Sequence, residues 1–101
     1  MNENSNNKEV ILKVSGHTVQ NALKSAIIGN IMDGKIVYMD CIGSITNYIA
    51  LKSVIMVRGY LASFGREIEV TQVFHDLILE NPHDEIGIKT GIRWILSMHK
   101  S

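Results

Sequence analysis

Apolar and polar positions change period along the chain, and the changes mark out the elements. From Val10 to Ser15 they alternate, with Val10, Leu12 and Val14 on one side and Ile11, Lys13 and Ser15 on the other, as in a half-buried strand. Gly16-His17-Thr18 breaks that pattern. Thr18 is the expected N-cap of a helix on which Val19, Leu23, Ala26, Ile27 and Ile31 recur at helical spacing, and Asp33-Gly34 closes it. Val37, Met39 and Cys41 then alternate with Tyr38 and Asp40 until Gly43, which predicts a second strand. Ser44 is the expected cap of a second helix that runs to about Ala62. Ile45, Ile49, Ser53, Met56, Val57 and Tyr60 share its broad, core-seeking face.

The second helix should be polar on its other side. Instead Tyr48, Leu51 and Ile55 form a second apolar stripe, flanked by Asn47 and Arg58. A helix apolar on two sides needs a second cover, and in a chain of 101 residues a homodimer is the economical one. Glu67 to Leu79 alternates at Ile68 and Val70 but slips between Gln72 and His75, which predicts a bulge or bend. After the turn-rich, acidic segment Glu80 to Glu85, the even positions Ile86, Ile88, Ile92, Trp94 and Leu96 give a further strand, hairpin-paired with the one before. The order is β-α-β-α-β-β. It predicts an α/β domain, an α+β two-layer sandwich with two helices on one face of a four-stranded mixed sheet, over residues 10–98. The asparagine-rich stretch 1–9 reads as a disordered leader.

Composition narrows the function classes. With 46% hydrophobic and 20% charged residues the chain can bury a core, so global disorder is excluded. Ten Lys plus Arg against ten Asp plus Glu leave no net charge, and any binding of nucleic acid must come from a local patch. No apolar run is long enough to span a bilayer, and the start lacks a signal-peptide pattern, so a cytoplasmic protein without membrane contact is expected. The single cysteine, Cys41, excludes an internal disulfide and falls on the inward side of its strand, where an inert core thiol is expected.

Catalytic chemistry finds no foothold. Ser15, Ser44 and Ser63 lack a nucleophile elbow, the glycines form no phosphate loop, and no catalytic residue, cofactor or small-molecule substrate is indicated. His17, His75, His83 and His99 are scattered. Only His75 and His83, with Asp76 and Asp84 nearby, resemble a metal site, and surface histidines beside a turn explain them better, so no metal is expected. His17 lies in a Gly-His-Thr loop before a helix N-terminus, where it could help hold an anion or could stand idle. On the sheet face away from the helices, Lys13, Lys89 and Arg93 alternate beside Asp40, Glu67 and Glu69, which reads as cross-strand pairing. Lys24, Lys52 and Arg58 project from the helices. A dimer would double them and could gather His17, Lys24, Lys52 and Arg58 into one nucleic-acid-binding patch, although on composition alone independent solvated charges are the simpler account of them.

Certain residues carry a resemblance. Ile11-Leu12-Lys13-Val14-Ser15, then Asn21, Ala26, Gly29, Ile42-Gly43, Ala50, Lys52, Val54, Arg58-Gly59-Tyr60, Ala62, Gly65 and Phe74-x-Asp76 resemble the stage V sporulation protein S family. The similarity runs without a gap from Ile11 to about Leu79 and resumes at Thr90-Gly91-Ile92-Arg93. That family looks like a branch of the Alba-like superfamily, whose β-α-β-α-β-β domains form homodimers and commonly bind DNA or RNA. The resemblance therefore implies a homodimeric, non-enzymatic regulator in sporulation or a related developmental programme, with DNA or RNA as partner. The implied nucleic-acid-facing parts are the first loop, helix two and the hairpin arms. Lys52 and Arg58 match the family's basic positions. His17 stands in place of a lysine, exchanging a permanent charge for a titratable one. Arg93 also replaces a lysine, Tyr48 replaces an asparagine, and the hairpin tip is longer and acidic, which would repel phosphate. The other reading is a protein-interaction scaffold in the same programme, with Tyr48, Leu51 and Ile55 holding a second copy or another protein.

Overall fold

A computed structural model describes residues 8–80 and 86–100. Its elements are β1 (Glu9–Lys13), α1 (Gln20–Met32), β2 (Ile36–Cys41), α2 (Ser44–Ala62), β3 (Ile68–Glu80) and β4 (Ile86–Met98). They form one mixed sheet in the order β1-β2-β4-β3, in which β1 runs parallel to β2 and the other pairs are antiparallel. The α/β two-layer, β-α-β-α-β-β architecture expected from the hydrophobic pattern is the one observed. Lys8 and Glu9 join the sheet, for Glu9 opens β1 and the Lys8 carbonyl accepts from the Ile36 amide at 2.8 Å. The rest of the expected leader and the acidic segment 81–85 lie outside the described residues.

The core lies between the helices and one sheet face. Ile27 and Ile31 of α1 and Val57 and Leu61 of α2 bury their side chains completely, or nearly so, against Val37, Met39 and Cys41 of β2 and Leu96 of β4. Two polar residues enter this layer and are satisfied locally. Ser53 Oγ donates to the Ile49 carbonyl at 2.9 Å, and Thr46 Oγ1 to the Ile42 carbonyl at 2.7 Å. Burial pushes the Cys41 thiol up to about 11, so it is the inert core thiol its position predicts. No described helix is long and apolar enough to cross a membrane.

Several local expectations give way to geometry. Thr18 does not cap α1. Its Oγ1 accepts from the Ser15 amide at 2.8 Å inside the loop, while Val19 takes the N-cap position and is exposed. Ser44 is already helical, and Gly43 precedes it at φ 89°, a left-handed conformation that turns β2 into α2 at no steric cost. The buried side of α2 is Thr46, Ala50, Ser53, Val54, Val57 and Leu61. Ser53 is inside as expected, but Ile45 and Tyr60, expected there too, are exposed, because Thr46 bonds to its own helix and is buried with Ala50, Val54 and Leu61 in their stead.

No bulge interrupts β3. Its pairing with β4 is continuous from Ile68↔Met98 to Glu80↔Ile86. The alternation slips because the support ends: β2 pairs only with residues 92–96 of β4, so beyond Gly91 the two strands continue as a bare ribbon. Six residues on each strand, at about 3.4 Å each, project roughly 20 Å past the sheet. The Cα radius of gyration, 14.8 Å, accordingly exceeds the ~13 Å of a compact chain of this length. At the ribbon's root, a Cβ on Gly91 would lie 2.6 Å from the Cys41 carbonyl oxygen.

The uncovered sheet face carries a buried, bidentate ion pair between its two central strands. Arg93 and Asp40 are register partners, and the guanidinium donates to both carboxylate oxygens, at 2.7 and 2.9 Å. Asp40 is buried, and its hydrogen bonds from Arg93 hold the carboxyl below the usual range. Arg93 also lies over the Tyr38 ring, 4.8 Å from its centroid. The cross-strand pairing expected for Arg93 and Asp40 is therefore present, whereas Glu69 pairs with His99 at 2.8 Å.

Three predictions follow from the sheet. Gly91→Ala should destabilise the fold by about 1–3 kcal/mol, the usual cost of overpacking, read from denaturant midpoints. Arg93→Ala should cost about 3 kcal/mol at pH 7, because it strands a buried carboxylate. Since the native Asp40 pKa is depressed, its contribution is complete above the ordinary carboxylate range and is lost as pH falls toward the native value. The stability gap between wild type and Asp40→Asn should therefore narrow between pH 5 and pH 3, on a scale set by the ordinary carboxylate pKa of about 3.9.

Candidate functional site

Because β1 and β2 are parallel neighbours and each leads into a helix, the N-termini of α1 and α2 lie at the same end of the sheet. The β1–α1 loop with His17 and the root of the ribbon are also there. Neither helix start has a side-chain cap or an acidic residue in its first turn, so the positive ends of both dipoles stand unneutralised. Trp94 Nε1 donates to Asn47 Oδ1 at 2.9 Å, which ties the first turn of α2 to β4 near the ribbon's root.

The outward side of α2 follows from its buried side. At 100° per residue, the positions opposite Ala50 and Val57 are Tyr48, Ile55 and Gly59, with Leu51 beside them. Ile45 is 67% exposed, Tyr48 59%, Leu51 43% and Ile55 58%. Lys52 and Arg58 stand on the two flanks of this stripe, both exposed, and Lys52 Nζ lies 5.0 Å from the centroid of the Tyr48 ring. The helix contains no acidic residue. Lys24 is half-buried on α1, and His17 is exposed in its loop, where its amide donates to Ser15 Oγ at 3.1 Å. Among the described residues, none of His17, Lys24, Lys52 and Arg58 takes part in an ion pair.

Lys52 and Arg58 thus share one surface with Tyr48, Leu51 and Ile55, while Lys24 and His17 belong to α1 and its approach. Chemically, the surface can bury apolar area at its centre and hold anions at its edges. The sequence reading missed two exposed apolar features. Ile45 was assigned to the core on spacing alone. Phe74, Ile78 and Ile88 form an exposed apolar strip on the ribbon. That strip could have been found from strand lengths, since 13-residue strands must overhang a six-residue neighbour.

Comparison with known proteins gives three results. No curated protein matches the chain. Among solved structures, the X-ray structure of precorrin 8W decarboxylase from Methanobacterium thermoautotrophicum is similar at 14% identity and a TM-score of 0.45, over 89% of this chain. The chain spans 45% of that protein's length, and a likeness at this level bears on neither fold nor function. The sequence pattern of stage V sporulation protein S (SpoVS) matches residues 10–99. That span takes in all but the first residue of β1 and every later element through β4, and the chain belongs to the stage V sporulation protein S family.

Proposed function

We propose that the chain is a non-enzymatic, homodimeric nucleic-acid-binding regulator, working in the cytoplasm in sporulation or a related developmental programme. Membership of the stage V sporulation protein S family implies the sporulation-related role. The observation that carries the nucleic-acid reading is the charge of α2, a helix with Lys52 and Arg58 exposed, without an ion pair among the described residues, and with no acid of its own. On a neutral protein such a surface is where phosphate would be drawn. The two unneutralised helix N-termini add positive potential at the neighbouring end of the sheet, beside His17. Doubling by a twofold axis multiplies each contribution.

A second reading, a protein-interaction scaffold in the same programme, is favoured by the exposed stripe of Tyr48, Leu51 and Ile55, which offers apolar area rather than charge. Salt separates the two. Binding to duplex DNA should weaken by roughly 0.9 log unit per log unit of salt for each phosphate contacted, whereas an apolar interface barely responds.

Fluorescence polarisation with mixed DNA and RNA at two ionic strengths tests the first reading. Binding at low salt with a steep slope is expected, and Lys52→Ala with Arg58→Ala should flatten the slope by about 1 per lost contact. Absence of binding at low salt would leave the scaffold. For the homodimer, sedimentation should give a dimeric wild type and a monomeric but folded Leu51→Glu.

A further inference from the structure

The ribbon carries an apolar face with nothing over it. Phe74, Ile78 and Ile88 are 83%, 71% and 69% exposed, more than any residue of the α2 stripe. Their register fixes the side they share. Phe74 pairs with Ile92, Asp76 with Thr90 and Ile78 with Ile88, and alternation along β4 puts these positions on the same face as Trp94 and Leu96, the face that the helices cover farther in. The strip is therefore the continuation of the core face beyond the reach of the helices.

It cannot be covered from within the described chain. The ribbon projects from the end of the sheet at which α2 begins, and α2 runs back the other way, so a subunit's own stripe and strip diverge. The first seven residues offer Met1 as their only apolar side chain. In a twofold dimer the same divergence becomes an asset, because two copies facing each other can each lay a ribbon along the other's α2.

We propose that the ribbon strip Phe74, Ile78 and Ile88 of one copy docks on the α2 stripe Ile45, Tyr48, Leu51 and Ile55 of a second copy, and reciprocally. This rests on the homodimer of the preceding subsection and specifies its interface. Length supports it. Ile45 to Ile55 spans about 15 Å at the helical rise, and Phe74 to Ile78 spans about 14 Å as a strand. Charge supports it as well. The ribbon strands carry Asp76 and Glu80 against Lys89, a net −1, whereas α2 carries Lys52 and Arg58, a net +2, with no acid. Asp76 lies on the apolar face, where Thr90 Oγ1 donates to it at 2.9 Å, and it would arrive between the cations that flank the stripe. Two copies of α2 face to face would bring like charges together instead. Each ribbon contact still leaves one positive charge on the surface for phosphate.

Cysteine pairs distinguish the arrangements. The buried Cys41 can stay in place, because its thiol, pushed up to about 11, does not react under mild oxidation. Leu51→Cys and Ile78→Cys together should give a covalent dimer whose disulfide maps to 51–78, and each alone should give none. Phe74→Ser with Ile78→Ser, both at exposed positions, should weaken the dimer at least tenfold in sedimentation while the circular dichroism spectrum is retained. A covalent dimer from Leu51→Cys alone means helix on helix and overturns the ribbon contact while sparing the homodimer. An unchanged dimer after the two serine substitutions overturns it equally, and a wild type that is monomeric at all concentrations overturns both.

Discussion

Two helices can cover only as much sheet as lies beneath them, and most features of this molecule follow from that limit. β1 and β2, five and six residues long, define the covered area, while β3 and β4 run to thirteen residues each. The surplus becomes a ribbon with an apolar face and no core. On the other side of the layer, α2 buries Ala50, Val54 and Val57 beneath it and still carries Tyr48, Leu51 and Ile55 above it. A single subunit therefore ends with apolar area in two places that it cannot bring together. Burial of such area is the dominant favourable contribution to association, and two unmatched surfaces on one chain are a standing drive toward a partner.

The sheet tolerates the overhang because its register is pinned at two points. At the ribbon root, Gly91 lets the strand pass the Cys41 carbonyl more closely than any side chain would allow. On the open side, the Arg93–Asp40 pair joins the two central strands one register step from the end of their pairing. That pair also settles what the open face can do. Arg93 is held by Asp40 and lies over Tyr38, whose hydroxyl donates to Glu9 at 2.9 Å. The most favourable cation and aromatic on that face are thus engaged with each other, so a phosphate arriving there would have to displace a bidentate carboxylate. Lys24, Lys52 and Arg58 of the helices take part in no ion pair among the described residues, and α2 carries two of them with no acid of its own.

Much of this was legible in the residues. Period-two alternation found β1, β2 and β4, and the limits of α2 fell where Ser44 and Ala62 stand. The family signature, Leu-Lys-Val-Ser early and Arg-Gly-Tyr late, agrees with the pattern match over 10–99. The rotation of α2 was not legible, because helical spacing counts carbon and cannot foresee that Thr46 satisfies its hydroxyl on its own backbone and goes inside. Nor was the straightness of β3. A strand that leaves the core loses the selection that keeps its two faces different, so its alternation decays without any change of geometry. The decay itself was the signal of an overhang, and it reads as a bulge only if every strand is assumed to have a core beneath it.

The stripe and the cations on α2 share one surface, and their geometry sets how they act together. Lys52 and Arg58 stand six residues apart, about 9 Å along the axis, on opposite flanks of the apolar centre. An apolar partner seated between them would remove water from both flanks and strengthen whatever anion each one meets, since charges interact more strongly where solvent is excluded. Lys52 already rests over Tyr48, so covering that ring shields the cation–π contact too. In the proposed ribbon contact the first such anion is Asp76, so self-association would take up part of the charge that phosphate would use, and the two would draw on the same cations of this helix.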